Sequence, residues 1–290
     1  MASMRDIRRS IRSIQSTEQI TKAMKMVSAA KLRKAQSHVV AARPYAEKIH
    51  EVLIDLTANA GDYVHPLQEK RETKKIAYVL LSGDRGLCGG FNANIIRKCE
   101  SLMKEAPVET ALVPVGRKGR DYFVRRNKEM LDEFIGIDDN PTFVQSKELS
   151  DKLIELYLNG AVDEIHLIFN QFRSAMSHIP TDIQLLPIEH GAKEEPGDNT
   201  EKQSGSDYIF EPSEVEVLEA LLPAYVETLV YRAILESKAS EHGARMTAMS
   251  SATDNAAEII QSLTLTLNRA RQAAITTEIS EIVGGAAALQ

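Results

Sequence analysis

The sequence predicts two long helices that form an antiparallel coiled coil, with a small α/β domain inserted between them. Three observations predict this fold class. One stripe of residues repeats at spacings of four and three over residues 235–274, which is the period of a coiled coil. A basic helical stretch with a similar stripe opens the chain, and strand-like and helix-like segments alternate between the two ends.

The first element is a predicted helix over residues 3–58. Ser3 suits its N-cap, with Asp6 three residues further on. An apolar stripe begins with three isoleucines and then changes phase, as a stutter would. Its members are Ile7, Ile11 and Ile14, followed after the change by Ile20, Ala23 or Met24, Val27 and Ala30. Pro44 is expected to kink this helix or to mark a weak point.

A linker over residues 60–75 leads into the predicted α/β domain at residues 76–190, which we describe as small and Rossmann-like. The fourth strand of this domain is expected at a sheet edge, because it contains prolines. The predicted strands are Ile76–Leu81, Glu109–Gly116, Glu164–Phe172 and His178–Ile188, and the predicted helices are Phe91–Lys104, Gly119–Arg126 and Ser146–Leu158.

Residues 191–207 are poor in apolar side chains and are expected to be a mobile acidic excursion. A short strand, Tyr208–Phe210, precedes the last helix, which opens at Pro212 and Ser213 and runs to about Val283. Its stripe consists mostly of small residues, so the partner helix must approach closely. The members are Leu235, Ala239, His242, Met246, Met249, Thr253, Ala256, Ile260, Leu263, Leu267, Ala270 and Ala274.

The two predicted long helices differ in length. At 1.5 Å per residue, helices of about 55 and 70 residues span roughly 80 Å and 105 Å, so the C-terminal helix is expected to project beyond its partner. The predicted organisation is an N-terminal long helix (1–59), a linker (60–75), the α/β domain (76–190), the acidic excursion (191–207), and a short strand with the C-terminal long helix (208–290).

Charge is distributed unevenly along the chain. The total is −6, but residues 1–43 carry ten Lys or Arg against two acidic residues, whereas residues 191–219 carry nine Asp or Glu against two Lys. This asymmetry indicates electrostatic contacts with partners.

The start of the chain lacks the apolar segment of a signal peptide, and no apolar run approaches membrane-spanning length. The two cysteines make no zinc or disulfide motif, so we expect a soluble protein in a reducing cytoplasm.

The segment SGDRGLCGGFN, residues 82–92, lies where a strand passes into a helix. Phosphate loops occur at such places, but they require GxxxxGK[ST] or GxGxxG, and neither spacing is present. We favour a tight turn whose glycines allow a helix to pack closely on the sheet, with nucleotide chemistry as the alternative.

Three other residues invite a chemical role. His166 lies in a strand with apolar neighbours and is interpreted as a core or surface residue with its polar atoms satisfied. His242 lies in the coiled-coil stripe, where a polar residue more often sets register than takes part in catalysis. Cys88 follows an apolar residue and is expected to be a buried or partly buried thiol. No catalytic triad or carboxylate pair is supported by a motif.

The basic N-terminal helix has three interpretations. It could bind nucleic acid, be a solvated surface, or contact an acidic protein partner. The acidic total charge and the lack of interleaved aromatic residues weaken the first. We favour a protein partner, because the same helix also carries apolar residues. The basic residues are Arg5, Arg8, Arg9, Arg12, Lys22, Lys25, Lys31, Arg33 and Lys34.

Motifs at both ends of the chain resemble the gamma subunit of bacterial F-type ATP synthases. The C-terminal segment ITTEISEIVGGAAALQ is similar to the family signature, and IRRSIRSIQSTEQITKAMKMVSAAKLRKAQ, residues 7–36, resembles the other strongly marked segment. ASEHGARMTAM, ATDNA and NRARQAAIT in the last helix, and SGDRGLCGGFN in the middle, are similar as well. The signature positions are Ile275, Thr276, Glu278, Glu281, Gly285, Ala286 and Ala288.

The resemblance implies a non-catalytic rotor with no cofactor. In this family the coiled coil is the shaft inside a ring of three alpha and three beta subunits, and the α/β domain, with epsilon, rests on the c-ring in the membrane. Proton flow turns the c-ring and the shaft, and the turning shaft drives ATP synthesis at the beta subunits; ATP hydrolysis drives the reverse. The resemblance places the complex at the cytoplasmic face of the cell membrane.

The resemblance also assigns contact residues. Arg271 and Gln272 match a pair that meets a loop of a beta subunit, and Met24, flanked by Lys22 and Lys25, matches the segment that passes an acidic region of beta. Arg9 and Arg12 would add basic contacts. Tyr208 and Glu211 match the region that faces the c-ring and epsilon.

One departure from the family and two rival functions remain. The regulatory insertion with paired cysteines found in chloroplast members is absent, and Cys88 and Cys99 do not replace it. The first rival is a coiled-coil protein that binds DNA or a scaffold. The second is an α/β enzyme with helical arms, which would need a pocket with convergent polar groups that the motifs do not provide.

Overall fold

The computed structural model describes residues 3–59, 63–188, 211 and 213–288. The acidic excursion 191–207 and the predicted strand Tyr208–Phe210 lie outside them. In chain order the elements are α1 (Met4–Asn59), β1 (Lys75–Leu81), α2 (Phe91–Glu105), β2 (Glu109–Val115), α3 (Arg117–Val124), α4 (Phe143–Leu158), β3 (Glu164–Phe172), β4 (His178–Leu186) and α5 (Glu214–Ala288). The two predicted long helices and the central α/β arrangement are confirmed, and α1 runs without interruption through Pro44.

The four strands form one mixed sheet in the order β2-β1-β3-β4. β1 is parallel to both β2 and β3, with Val79 opposite Val113 on one side and Leu167 on the other. β4 is antiparallel to β3 and lies at the edge, as its prolines predicted. The chain therefore crosses from one side of β1 to the other between β2 and β3, which is the reversal characteristic of doubly wound sheets.

Helices cover both faces of this sheet, so its central strands are buried on both sides. Alternation along β1 directs Ala77, Val79 and Leu81 to one face and Ile76, Tyr78 and Leu80 to the other. The first face packs against the second half of α1, α4 and the first part of α5, and the second face packs against α2 and α3. The cluster on the first face is the larger one and contains the fully buried Leu56, Leu149, Leu153 and Leu222.

The chain divides into two compact units. Unit 1 comprises Met1–Ala29 and Arg245–Gln290, and unit 2 comprises Ala30–Ala244. In unit 1 the helices run in opposite directions. Thr21 Oγ1 lies 2.8 Å from Thr253 Oγ1, and four residues later along α1, Lys25 Nζ donates to Ser250 Oγ, three residues earlier along α5, at 2.9 Å. The antiparallel pairing predicted from the two stripes is thereby confirmed within unit 1.

The stripe predicted on the C-terminal helix is confirmed as far as Ala270. In unit 2 its members Leu235, Ala239 and His242 are buried. In unit 1 Met249 and Ala256 are 4% and 5% exposed, and the other members as far as Ala270 are half-buried. Ala274, the last predicted member, is exposed.

The predicted change of phase in the N-terminal stripe is wrong. Ile20 and Val27 are 59% and 54% exposed, and Ala23 and Ala30 are exposed as well. The buried side instead continues from the three isoleucines through the hydroxyl residues Thr21 and Ser28 to Leu32 and Ala35. The physical reason is that small hydroxyl side chains allow the helices to approach closely and bond to each other, as Thr21 and Thr253 do. The isoleucine and valine one position earlier on the helix therefore point outward.

Candidate interaction surfaces

The predicted basic contact residues of α1 lie on the surface of unit 1. Arg9, Arg12, Lys22 and Lys25 are exposed, and Met24 is half-buried. Lys25 alone among these four cations bonds to a described residue, Ser250. Exposed apolar residues alternate with the cations along the same stretch, and these are Ile20, Met26 and Val27. Clustered apolar exposure with a charged border is typical of a protein interface.

The last part of α5 is exposed on all sides within the described residues. Every described side chain from Arg271 to Gly284 is exposed, although Ile275, Ile279, Ile282 and Val283 are apolar, with exposures of 48–67%. Their spacing of i, i+4, i+7 and i+8 places these four residues on one face of the helix, and an exposed apolar stripe of this kind is typical of a surface that a partner covers. Ile275 is one of the signature positions, whereas no motif marks Ile279, Ile282 and Val283, and only their spacing of four, three and one along the helix indicates that they share its face.

The predicted contact pair and the signature residues belong to this stretch. Arg271 and Gln272 are exposed, and their side chains make no hydrogen bond or ion pair with the described residues. Thr276, Glu278, Glu281 and Ala286 are also exposed. The structure describes the helical backbone at Gly285 and Ala288. The exposed side chains of this set are therefore accessible to a partner.

Of the two residues predicted to face the c-ring and epsilon, only Glu211 lies within the described residues. Glu211 is exposed, immediately before the start of α5, whereas Tyr208 lies outside the described residues. The carboxylate of Glu211 is thus accessible.

The glycine-containing turn after β1 packs against α5, as the sequence favoured. Gly83 donates its N–H to Asn92 Oδ1 at 2.8 Å, and a Cβ atom added at Gly83 would lie 3.1 Å from the Glu241 carboxyl carbon. Cys88 is buried with Phe91 and Ala244 of α5. The end of β1, where nucleotides bind in related folds, is therefore filled by side chains of α5.

His166 in β3 and Cys99 in α2 have shifted pKa values with structural causes. Burial by itself lowers the pKa of His166, but hydrogen bonding from its Nδ1 to Asp182, at 3.1 and 3.2 Å, and the nearby Glu164 carboxylate raise it above the ordinary value. Burial raises the pKa of the Cys99 thiol to about 12. His166 is thus paired, as interpreted from the sequence, and both described thiols are buried.

An open groove of about 440 Å³ lies between α2 and α3. Its lining includes the cations Arg97, Lys118 and Arg125. The Glu100 carboxylate in the lining accepts a hydrogen bond from Tyr122 Oη at 2.8 Å and pairs with Lys104 at 3.1 Å. The Glu100–Tyr122 hydrogen bond raises the pKa of Tyr122. Among the described residues, the lining contains no Ser, Thr, Cys or His.

No group of three or more His, Cys, Asp or Glu within residues 3–59, 63–188, 211 and 213–288 is arranged to hold a metal ion. In the same ranges no helix combines the length and apolar character needed to cross a bilayer.

Comparison with known proteins gives consistent matches over the full chain. A family model described as ATP synthase matches residues 3–289. The ATP synthase gamma chain of Desulfitobacterium hafniense is 56% identical over 290 residues, and that of Heliobacterium modesticaldum is 56% identical over 292 residues. In both cases the match covers 100% of this chain and 100% of the relative.

Solved structures with a similar fold come from mitochondrial ATP synthases. A chain of the Tetrahymena thermophila central stalk and c-ring structure is 26% identical, with a TM-score of 0.62 over 80% of this chain and 99% of that one. A chain of the Euglena gracilis structure containing OSCP, F1 and c-ring is 20% identical, with a TM-score of 0.69 over 99% of this chain and 94% of that one, and it supports the fold alone.

Proposed function

This chain belongs to the ATP synthase gamma-chain family, and from that premise we propose that it is the non-catalytic rotor of a proton-coupled F-type complex. It connects rotation of the c-ring to the catalytic beta subunits, and it passes ATP-driven rotation in the opposite direction. The observation that carries this proposal is the end of α5, where a long helix is exposed on all sides and leaves a stripe of apolar residues uncovered on one face. Such a helix fits inside a ring of partner subunits.

The proposed contacts with the beta subunits lie on both helices of unit 1. On α1, the cations Arg9, Arg12, Lys22 and Lys25 flank exposed apolar residues, and Met24 lies among them. These cations would attract acidic loops, and the apolar residues would be covered on binding. On α5, Arg271 and Gln272 offer an exposed guanidinium and an exposed amide to a beta loop. A guanidinium suits this contact because it can bind a carboxylate with two parallel hydrogen bonds.

The proposed contacts with the c-ring and epsilon lie near the start of α5. The exposed Glu211 carboxylate would pair with a basic loop of the c-ring, and Tyr208 would lie beside it. Through these contacts the chain is held at the cytoplasmic face of the cell membrane. Membrane attachment is thus indirect, through the c-ring. We also propose that the chain is divided, in order, into an N-terminal helix, a linker, an α/β domain, an acidic excursion and a C-terminal helix.

The primary test is assembly. The tagged chain is expressed with alpha and beta subunits of a relative, and the purified complex is weighed by native mass spectrometry. We expect three alpha, three beta and one copy of this chain, with ATPase activity. If the chain purifies alone, or binds duplex DNA with a steep salt dependence instead, the rotor proposal is wrong and the nucleic-acid rival gains support.

Two substitutions with matched controls test the proposed contacts. Arg271→Ala is expected to lower the ATPase rate of the assembled complex about tenfold, equivalent to ~1.4 kcal/mol, whereas Arg269→Ala, at an exposed residue of the same helix, has little effect.

Glu211→Lys is expected to weaken ATP-driven proton pumping in the membrane-bound complex without affecting folding. Glu216→Lys, at another exposed carboxylate of this region, is its control. Unchanged pumping in Glu211→Lys would rule out its role.

A further inference from the structure

Three elements of unit 2 meet at one carboxylate. Asp139 lies in the connection between α3 and α4, where no motif drew attention to it. Its Oδ2 accepts a hydrogen bond of 2.5 Å from Lys31 Nζ on α1, and its Oδ1 lies 3.7 Å from His242 Nε2 on α5. The Asp139 and Lys31 side chains are 37% and 38% exposed, while His242 is 1% exposed. Asp139 therefore joins both long helices to the α/β domain.

The same connection is fixed at two further points. Lys238 Nζ on α5 donates a hydrogen bond of 2.9 Å to the Ile137 carbonyl oxygen. The Asp84 carboxylate, in the turn after β1, accepts hydrogen bonds from Gly136 N at 3.2 Å and from Arg117 N at 2.8 Å. The backbone around Asp139 is thus held by the sheet on one side and by α5 on the other. Movement of the α/β domain must carry Asp139 with it.

The charges that face Asp139 come from both helices. Lys31 lies on α1, and Lys238 and His242 lie on α5, with the Glu241 carboxylate 3.9 Å from Lys238. Burial by itself raises the pKa of Asp139, but the hydrogen bond from Lys31 and the positive charges on both helices lower it below its ordinary value. Asp139 is accordingly ionised at neutral pH. An ionised carboxylate between cations on two helices attracts both.

The positions of these residues along the chain give the contact its significance. Unit 2 begins at Ala30 and ends at Ala244. Lys31 is therefore the second residue after the chain enters unit 2, and His242 is the third residue from the point at which it leaves. The Asp139 contacts therefore lie near the two ends of the chain segment that forms unit 2.

We propose that Asp139 is a positioning residue for torque transmission, which fixes α1 and α5 to the α/β domain through Lys31 and His242. This inference rests on the proposed rotor function. A rotation imposed on the α/β domain passes to both helices without slippage while the contacts are intact. Without the Asp139 charge, the helices yield under load, and part of the rotation is lost before it reaches the coiled coil.

The first experiment measures coupling in the complete membrane-bound complex. Asp139→Asn and Lys31→Gln are expected to lower proton pumping per ATP hydrolysed at least twofold, most strongly against a high proton gradient. Asp138→Asn and Lys34→Gln, at exposed neighbouring residues, are the matched controls. Asp139→Glu and Lys31→Arg keep the charges and are expected to retain most of the coupling. A purely structural role predicts a lower melting temperature with unchanged pumping per ATP, and that result would overturn the proposal.

The second experiment needs no rotation and uses the full chain alone. In Asp139→Asn, amide hydrogen exchange is expected to rise several-fold in α1 around Lys31 and in α5 around His242, with little change in Asp138→Asn. A change confined to the connection itself would overturn the proposal even if the variant fails to assemble. Altered exchange in both helices with normal pumping would exclude the torque role alone. A wild-type complex that does not pump would instead contradict the proposed function.

Discussion

The interface between α1 and α5 in unit 1 and the core of unit 2 are built from different residues. In unit 1 the buried positions include Thr21, Ser28 and Ala256, while large apolar residues such as Ile20 and Ile282 are exposed. In unit 2 the large apolar residues of the sheet and of the helices that cover it are buried on both faces. The usual relation between apolar character and burial thus holds in unit 2 and is partly reversed in unit 1.

This difference indicates that the buried apolar residues of unit 2 serve folding, whereas the exposed apolar residues of unit 1 serve partner binding. Burial of a leucine or isoleucine side chain contributes about 1.5–3 kcal/mol to stability, so the core of unit 2 supports its own fold. The exposed apolar residues of unit 1 contribute little to the isolated chain. They contribute when a partner covers them, which agrees with a rotor seated in a ring of subunits. The predictions below test this difference, from the largest expected effect to the smallest.

Removing a buried leucine from unit 2 should have the largest effect on stability. Leu153 is fully buried in the main core, so Leu153→Ala is expected to lower the free energy of unfolding by about 2–5 kcal/mol. Leu265, in unit 1, is 54% exposed, and Leu265→Ala should change it by less than about 0.5 kcal/mol. Urea denaturation followed by circular dichroism measures both. Equal losses in the two variants would contradict the comparison.

Removing exposed apolar residues from unit 1 should affect assembly and leave folding unchanged. The double variant Ile20→Ser and Val27→Ser is expected to retain the melting temperature of the isolated chain. Its binding to the alpha and beta subunits should weaken about tenfold, because ~1.4 kcal/mol of apolar burial at the interface is lost. Competition against the wild-type chain during assembly measures the effect. Destabilisation of the isolated chain would instead mean that these side chains are packed within it.

The hydroxyl pair in unit 1 should contribute about 1 kcal/mol. Thr21→Val leaves the Thr253 hydroxyl without its cross-helix partner, and such a loss costs about 0.5–1.5 kcal/mol. The double variant Thr21→Val and Thr253→Val should be about as stable as the single one, because the cross-helix bond is already lost in the single variant, where the Thr253 hydroxyl keeps only its bond to the Met249 carbonyl. A double-mutant cycle from thermal unfolding gives the coupling between the two residues. Additive losses would show that the hydroxyls do not interact.

The pH dependence of stability provides the smallest test. The pKa of His166 is raised in the folded state by Asp182, despite its burial. Its protonation therefore stabilises the fold fully below the unfolded-state value of about 6.5, and this contribution is lost as pH rises through the higher folded pKa. Urea midpoints measured from pH 5.5 to 8.5 should show a decline for the wild type that is reduced in both His166→Gln and Asp182→Asn. An undiminished decline in both variants would exclude His166 as its source.

Local patterns in the sequence predicted most of the fold. The strand Glu164–Phe172 was predicted with the bounds that the structure has, and the other strands were placed within two residues. Runs of β-branched residues and breaks at glycine or proline are local signals, which explains this accuracy. The helix α4 begins at Phe143, three residues earlier than predicted, because the capping box of Thr142 and Gln145 was overlooked.

The candidate site could be predicted less completely. The family resemblance pointed to Arg271, Gln272 and the cations of α1, and the structure places them on the surface, but their contacts remain proposals. The phase of the α1 stripe was mistaken because apolar character was taken as the guide to burial. The spacing of four and three, continued from Ile14 without a change of phase, reaches Thr21 and Ser28, but the contact of the Thr21 hydroxyl with Thr253, more than 200 residues away, could not be read from the local pattern.

The sequence by itself determined the two long helices, the order of the strands along the chain, the spacing of the C-terminal stripe and the family to which the chain belongs. These depend on periodicity, capping residues and motifs that are read within short stretches. The tertiary structure alone decided that polar and small residues form the buried side of α1 in unit 1. It also decided that Asp139 meets Lys31 and His242. The reason is physical: these contacts join residues about 100 positions apart, and their stability depends on distance and burial in the folded chain.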